Sequence, residues 1–104
     1  MRQPGPLTEL QAGVTTWAAR YWDGAYWPPL ANLARLTEEV GEIARIVNQT
    51  HGPTRVKATD VQAEAGGELA DALFALLCLA NSLEVDLQAA WEATLEKYRT
   101  RDEA

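Results

Sequence analysis

Few of the residues that usually carry enzyme chemistry occur in this sequence. Its 104 residues include one cysteine, Cys78, one histidine, His51, and one serine, Ser82. One cysteine cannot form an intramolecular disulfide, and one histidine with one cysteine is too little for a zinc site built from such ligands. The sequence around Ser82 does not resemble a nucleophile elbow, so a serine–histidine–aspartate triad is not indicated. If the protein is an enzyme, carboxylates and a hard metal ion must carry its chemistry.

Positive charge and long apolar segments are also scarce. Nine basic residues against 15 acidic ones give a net charge of -6, which argues against a nucleic acid polymer as partner. The longest apolar run, residues 72–80, is far shorter than the ~20 residues that span a bilayer. Residues 1–6 contain no apolar signal segment. We therefore expect a cytoplasmic protein without a membrane partner, and the length predicts a single domain over residues 1–104.

Apolar residues recur with helical spacing in four stretches, and no stretch alternates as a strand does. The predicted helices cover residues 7–22, 30–49, 59–83 and 86–101. Thr8 with Gln11 and Thr59 with Gln62 have the spacing of capping boxes, and Asp86 is a suitable N-cap for the last helix. The predicted fold class is all-α, a bundle of about four helices.

The third predicted helix is apolar on every side over residues 72–80. A helix that is apolar all round is normally buried all round, and three other short helices can hardly cover it. The fourth helix adds an apolar face, which consists of Leu87, Ala90, Trp91, Leu95 and Tyr98. We therefore expect a homodimer or homotetramer, in which another subunit completes the bundle.

Four acidic residues border the apolar stripes of the second and third helices. Glu39 and Glu42 are three residues apart, as are Glu68 and Asp71, so each pair projects from nearly one helix face. If the two helices pack together, these four carboxylates would repel each other without a cation. A ligand set made only of oxygen atoms suits Mg²⁺ or Mn²⁺. In the alternative, Glu38, Glu39 and Glu42 form a solvated face and pair with Arg35 and Arg45. The spacing leaves both interpretations open.

The sequence Glu38-Glu39-Val-Gly-Glu42, followed by Glu68-Leu-Ala-Asp71, resembles the EExxE…ExxD pattern of the MazG-like nucleotide pyrophosphohydrolases. The resemblance extends over residues 26–101. It implies an all-α fold assembled as dimers or tetramers, and Mg²⁺-dependent hydrolysis of nucleoside triphosphates to the monophosphate and pyrophosphate, as a house-cleaning activity against non-standard or excess nucleotides. Relatives often have glycine where this chain has Glu84, so the turn before the fourth helix is expected to differ.

The resemblance also implies roles for individual residues. Glu39, Glu42, Glu68 and Asp71 would be the metal ligands, and Glu38 would be the auxiliary carboxylate, which accepts a proton from water or binds a second ion. Asn81 and Lys97 match positions that contact the substrate.

Further substrate contacts are predicted from residue type. Lys57 and Arg101 could stabilise charge that develops on the phosphates, although solubility of a loop or favourable charge at a helix C-terminus explains them equally well. Trp27 is the best candidate for stacking on a base, although aromatic residues more often belong to the core. A rival hypothesis from another class is a non-catalytic helical oligomer that keeps the fold as an interaction module.

Overall fold

The computed structural model of the protein describes residues 3–53 and 61–103. Within these two segments the chain forms four α-helices and no strand: α1 (Pro6–Tyr21), α2 (Pro29–His51), α3 (Val61–Ser82) and α4 (Leu87–Glu103). The predicted all-α fold class is confirmed. None of the helices in these segments is long and apolar enough to cross a membrane.

The start of α1 differs from the predicted capping box. Gly5 is the N-cap, and its amide donates to Thr8 Oγ1 at 3.1 Å, so Thr8 lies inside the first turn instead of capping it. Gln11 takes no part in the cap, and its side chain reaches α3 and α4 instead. At α4 the predicted N-cap is confirmed, because the amide of Ala89 donates to Asp86 Oδ1 at 3.0 Å. The predicted cap at Thr59 lies outside the described residues.

The turn between α3 and α4 contains Glu84 in the left-handed conformation, with φ at 57°. Glycine adopts this conformation without strain, whereas a residue with a Cβ atom pays about 1 kcal/mol or more. The turn therefore holds Glu84 in a conformation that glycine would adopt with less strain.

Helices α2 and α3 pack as an antiparallel pair, whose contact surface we call the seam. Two contacts fix its register: Arg45 Nη2 lies 3.3 Å from Glu64 Oε1, and Arg35 Cζ lies 5.5 Å from the ring centroid of Phe74. Ile46 on α2 and Ala75 on α3 are buried. The small side chain of Ala75 allows close packing at this level of the pair.

Helix α1 lies across α3, and α4 packs against α1. Val14 of α1 meets Leu77 and Cys78 of α3 in the buried core. The Gln88 side chain of α4 accepts a hydrogen bond from the amide of Leu7 at 2.8 Å. A polar contact thus helps to hold α4 to the start of α1.

The apolar run in α3 is not buried on every side within one chain. Leu77 and Cys78 are almost fully buried, but Leu73 and Leu76 are 42% and 39% exposed. The chain is also flat, with extents of 51 × 47 × 23 Å and a radius of gyration of 16.7 Å, whereas a compact domain of this length has about 13 Å. Its smallest extent is only about two helix diameters, so no further layer covers the exposed leucines.

Candidate metal centre

Three carboxylates converge at the edge of the seam, Glu39 from α2 with Glu68 and Asp71 from α3. One oxygen atom of each lies within 4.8 Å of the other two. Mg²⁺ binds oxygen at 2.0–2.1 Å, so opposite ligands of one ion are about 4.2 Å apart. At most one pair of the three oxygen atoms could take that spacing, and the other pairs would be adjacent ligands about 2.9 Å apart, so side-chain rotations would have to bring them closer. We call these three residues the carboxylate cluster.

The helix pair explains why these residues meet. Glu68 and Asp71 stand three residues apart on one face of α3, and the antiparallel register brings Glu39 opposite them. Glu39 and Glu68 are half-buried, whereas Asp71 is exposed. Burial, followed by the charges of Glu42, Asp71 and Glu39, raises the pKa of Glu68. The cluster therefore concentrates negative charge, which a divalent cation would relieve.

Glu42, the fourth predicted ligand, stands beside the cluster and not within it. Its Oε2 accepts a hydrogen bond from Arg45 Nε at 3.1 Å, and Arg45 also contacts Glu64 at 3.3 Å. These hydrogen bonds raise the pKa of Arg45. The solvated-face alternative thus describes Glu42 in part, although the charge of this residue still acts on Glu68. Glu38 is exposed on α2, next to Glu39 and one turn before Glu42.

Asn81, a predicted substrate contact, makes four hydrogen bonds with its own chain. Its Nδ2 donates to Gln11 O at 3.1 Å, Tyr26 Oη at 3.0 Å and Thr15 Oγ1 at 3.5 Å, and its Oδ1 accepts from Gln11 Nε2 at 2.9 Å. Gln11 Oε1 accepts a hydrogen bond from the backbone amide of Leu87 at 3.0 Å. We call these contacts of Gln11, Thr15, Tyr26 and Asn81 the polar network. It joins α1, α3, the start of α4 and the link before α2.

The other predicted substrate contacts lie elsewhere. Lys97 and Arg101 are exposed on α4 and lie over the ring of Tyr98, with Lys97 Nζ at 5.0 Å and Arg101 Cζ at 4.7 Å. Neither belongs to the carboxylate cluster. Trp27 is 57% exposed and faces Arg35. Lys57 lies outside the described residues.

Arg35 lies beside the cluster with Nε 4.0 Å from Glu39 Oε1, which is the pairing with a basic neighbour that the solvated-face alternative describes. The polar network was not predicted. It joins residues up to 76 positions apart, and no local pattern indicates such a contact.

An antiparallel helix pair with clustered carboxylates, inside an all-α fold, defines a helical protein with a candidate site for a hard cation. The family model of the MazG nucleotide pyrophosphohydrolase domain matches residues 28–104. The chain therefore belongs to this family, and the resemblance read from its acidic motifs is confirmed.

Individual relatives agree with this membership. YpjD of Bacillus subtilis strain 168, an uncharacterized protein, is 43% identical over 96 residues, which cover 92% of this chain and 86% of the relative. The crystal structure of YpjD from Bacillus subtilis, described as a candidate pyrophosphatase, has a TM-score of 0.80 at 39% identity and covers 93% of this chain and 98% of its own. The Bacillus-conserved MazG protein, a nucleotide pyrophosphohydrolase, has a TM-score of 0.74 at 35% identity, with 93% of both chains covered.

Proposed function

We propose that this member of the nucleotide pyrophosphohydrolase family hydrolyses (deoxy)nucleoside triphosphates to the monophosphate and pyrophosphate in a Mg²⁺-dependent reaction. The observation that carries the proposal is the carboxylate cluster, because helix packing alone gives no reason to bring three acids together at the edge of a core. House-cleaning of non-standard or excess nucleotides is the biological role that we propose.

Glu39, Glu68 and Asp71 would hold the cation, and Glu42 would join them if its carboxylate turned away from Arg45. The donor set fits Mg²⁺, with Mn²⁺ as a possible substitute, because every candidate ligand atom is a carboxylate oxygen. When bound, the ion supplies neutralisation of phosphate charge and orientation of the scissile bond.

The roles of Glu38, Lys97 and Asn81 follow the family pattern, and those of Arg101, Lys57 and Trp27 rest on residue type. Glu38 is exposed and directly precedes Glu39 on α2, and its carboxylate would accept a proton from a water that attacks the α-phosphorus. Lys97, Arg101 and Lys57 would contact phosphates, and Trp27 would contact the base. Asn81 would orient the substrate either directly or through the polar network.

We also propose that the protein works as a homodimer or homotetramer. The chain exposes 7659 Å² of surface, whereas a compact monomer of this mass exposes about 5,800 Å². This difference exceeds the ~800 Å² that one partner buries in an interface of standard size. Leu73, Leu76 and Trp91 line one open groove of about 290 Å³ between α3 and α4, which a partner helix would fill.

The decisive experiment is a hydrolysis screen over standard and damaged (deoxy)nucleoside triphosphates, with identification of both products. Pyrophosphate should appear in step with the monophosphate, and nucleoside diphosphates should be poor substrates. Asp71→Asn, run in parallel, excludes a contaminating phosphatase. Release of orthophosphate with a remaining diphosphate would assign another scissile bond, and no hydrolysis of any triphosphate would favour the non-catalytic module.

A further inference from the structure

Arg35 occupies an unusual place for a surface cation of α2. Its Cζ atom lies 5.5 Å from the ring centroid of Phe74 and 6.0 Å from that of Trp27. Phe74 is itself fixed by edge contacts with Trp17 and Trp22, at centroid distances of 5.6 and 6.0 Å. The side chain is only 30% exposed. Contacts with two aromatic rings therefore hold the guanidinium at a defined position on the seam.

The hydrogen-bonding capacity of Arg35 is not used by the parts of the chain that the structure describes. Its one carboxylate contact there is Glu39 Oε1, at 4.0 Å from Nε, which is too long for a hydrogen bond. Arg45 is the contrasting case, because its three nitrogen atoms contact Glu42, Gln49 and Glu64 at 3.1 to 3.3 Å. A guanidinium has five N–H donors, and none of those of Arg35 is in a hydrogen bond with the described residues at the distances given above.

The negative charge around the cluster means that a substrate with a phosphate chain needs a nearby cation to bind there. Three clustered carboxylates and the neighbouring Glu42 repel a phosphate chain, and one divalent ion offsets only part of this charge. Arg45 is already paired with Glu42 and Glu64. Lys97 and Arg101 lie against Tyr98 on another helix. Among residues 3–53 and 61–103, Arg35 is thus a cation at the cluster whose donors remain available.

We propose that Arg35 binds phosphate oxygens of the nucleotide at the edge of the carboxylate cluster. The inference rests on the proposed function and adds a residue to the site that binds the substrate. A cation held by Glu39 would weaken the pull of this carboxylate on Arg35. The guanidinium, still held by Trp27 and Phe74, would then present two N–H donors to a phosphate, for which the planar fork is well suited.

The test measures binding by calorimetry on the full chain, with two probes. Inorganic triphosphate in the presence of Mg²⁺ reports the phosphate contact without any dependence on the base. Mg²⁺ alone reports the carboxylate cluster. Arg35→Met should weaken inorganic triphosphate binding about tenfold or more, since a lost charge-assisted hydrogen bond has this magnitude. Arg35→Lys should recover part of the loss because it keeps the charge.

Mg²⁺ binding should move in the opposite direction. Removing a positive charge 4.0 Å from Glu39 should leave the affinity for Mg²⁺ alone unchanged or raise it. A merely structural role would weaken both probes together. The matched control is Arg20→Met, which removes another arginine that lies over an aromatic ring, at 5.3 Å from the centroid of Tyr21. This variant should stay within about twofold of wild type for both probes.

Each result of these binding measurements either supports or overturns the inference about Arg35. Unchanged triphosphate affinity in Arg35→Met, or equal losses for triphosphate and Mg²⁺, would overturn the inference while leaving the proposed function intact. Failure of the wild type to hydrolyse any nucleoside triphosphate would instead overturn the proposed function. If Arg35→Met does not fold, Arg35→Gln replaces it, and equal triphosphate affinity of Arg35→Gln and Arg35→Lys would count against the inference.

Discussion

The two sides of α3 differ in the contacts that form within a single chain. Toward α2, the acidic side chains of α3 gather at the edge of the seam, where the buried Ala75 allows close packing. Toward α1 and α4, the polar network fixes the helices while large apolar side chains stay open to solvent. Trp17, Leu73 and Trp91 are 42%, 42% and 49% exposed. Three carboxylates therefore meet within one chain, whereas large apolar side chains stay exposed here and also along α2, where Leu33 and Val47 are 48% and 53% exposed.

This difference divides the residues into two groups whose mutations should have different effects. Residues at the seam edge should act on binding and turnover with little effect on folding, because they are charged and partly solvated. Residues on the open apolar side should act on assembly and stability, because burying one large side chain contributes about 1.5–3 kcal/mol. Each experiment below tests this division.

The largest effect is expected at the seam. Asp71→Asn and Glu42→Gln each remove the charge of one proposed ligand with almost no change in volume. Hydrolysis should therefore fall by more than about a hundredfold, the upper range for residues that merely support metal ligands. Helical content, followed by far-ultraviolet circular dichroism, should stay unchanged. Glu96→Gln on α4, where Glu96 pairs with Arg99, is the matched control and should keep its activity. Turnover near that of wild type in both seam variants at saturating Mg²⁺ would refute the site assignment.

The next effect concerns the open apolar side. Leu76→Lys places a charge in the groove beside Trp91, so sedimentation should show a smaller species, down to the 11.4 kDa monomer, and the melting temperature should fall. Leu77 is a poor position for this experiment, because it is 3% exposed within its own chain and a lysine there would disrupt the monomer core.

Ala93→Lys is the control for this prediction, since it adds the same charge to the exposed surface of α4 away from Trp91. It should leave the sedimentation behaviour unchanged. A wild-type protein that sediments as a stable and active monomer would mean that the apolar side has another purpose than assembly.

The sequence predicts those parts of the molecule that depend on neighbours along the chain. Helical periodicity located all four helices, with ends that differ by one or two residues wherever both are described, and the i, i+3 spacing identified the acidic pairs. Proline at the start of α2 shifted its first residue by one, since proline is well tolerated in the first helical turn. The acidic pairs suggested that α2 and α3 share a contact surface, whereas periodicity alone does not specify which helices pack together.

Contacts between distant residues could not be predicted in this way. Gln11 follows Thr8 at the spacing of a capping box, yet Gln11 instead bonds Asn81, 70 positions away. Glu42 has the spacing of a metal ligand and of a salt-bridge partner for Arg45, and both patterns are local. Only the three-dimensional arrangement shows that Glu42 faces Arg45 while its charge acts on Glu68.

A third prediction concerns the polar network, whose loss should have a moderate effect. Asn81→Ala removes four hydrogen bonds and leaves the Gln11 amide without its partner on α3, which should lower the free energy of unfolding by about 1–3 kcal/mol. Tyr26→Phe removes one of these contacts and the hydrogen bond that Tyr26 Oη donates to Thr15 Oγ1, and it should cost less. Urea unfolding measures both values. If Asn81 acts only on substrate, Asn81→Ala will instead raise KM while the free energy of unfolding stays at the wild-type value.

The smallest effect is expected in the pH dependence of the metal-free protein, where Glu68 at the seam edge and Glu96 on the surface of α4 should respond with opposite signs. Burial and neighbouring carboxylates raise the pKa of Glu68 above its ordinary value of 4.5, so the folded state holds this proton more tightly than the unfolded state. Its contribution to stability is thus present below the ordinary value and is lost as the pH rises through the folded pKa. A hydrogen bond from Arg99 lowers the pKa of Glu96, so the contribution of Glu96 to stability is present at pH values above its ordinary pKa and is lost as the pH falls.

Thermal melts with EDTA measure both effects. The melting temperature of Glu68→Gln should rise relative to that of wild type as the pH rises above about 4.5. The melting temperature of Glu96→Gln should instead fall below that of wild type. The same sign for both variants would show that the seam edge does not concentrate negative charge as described.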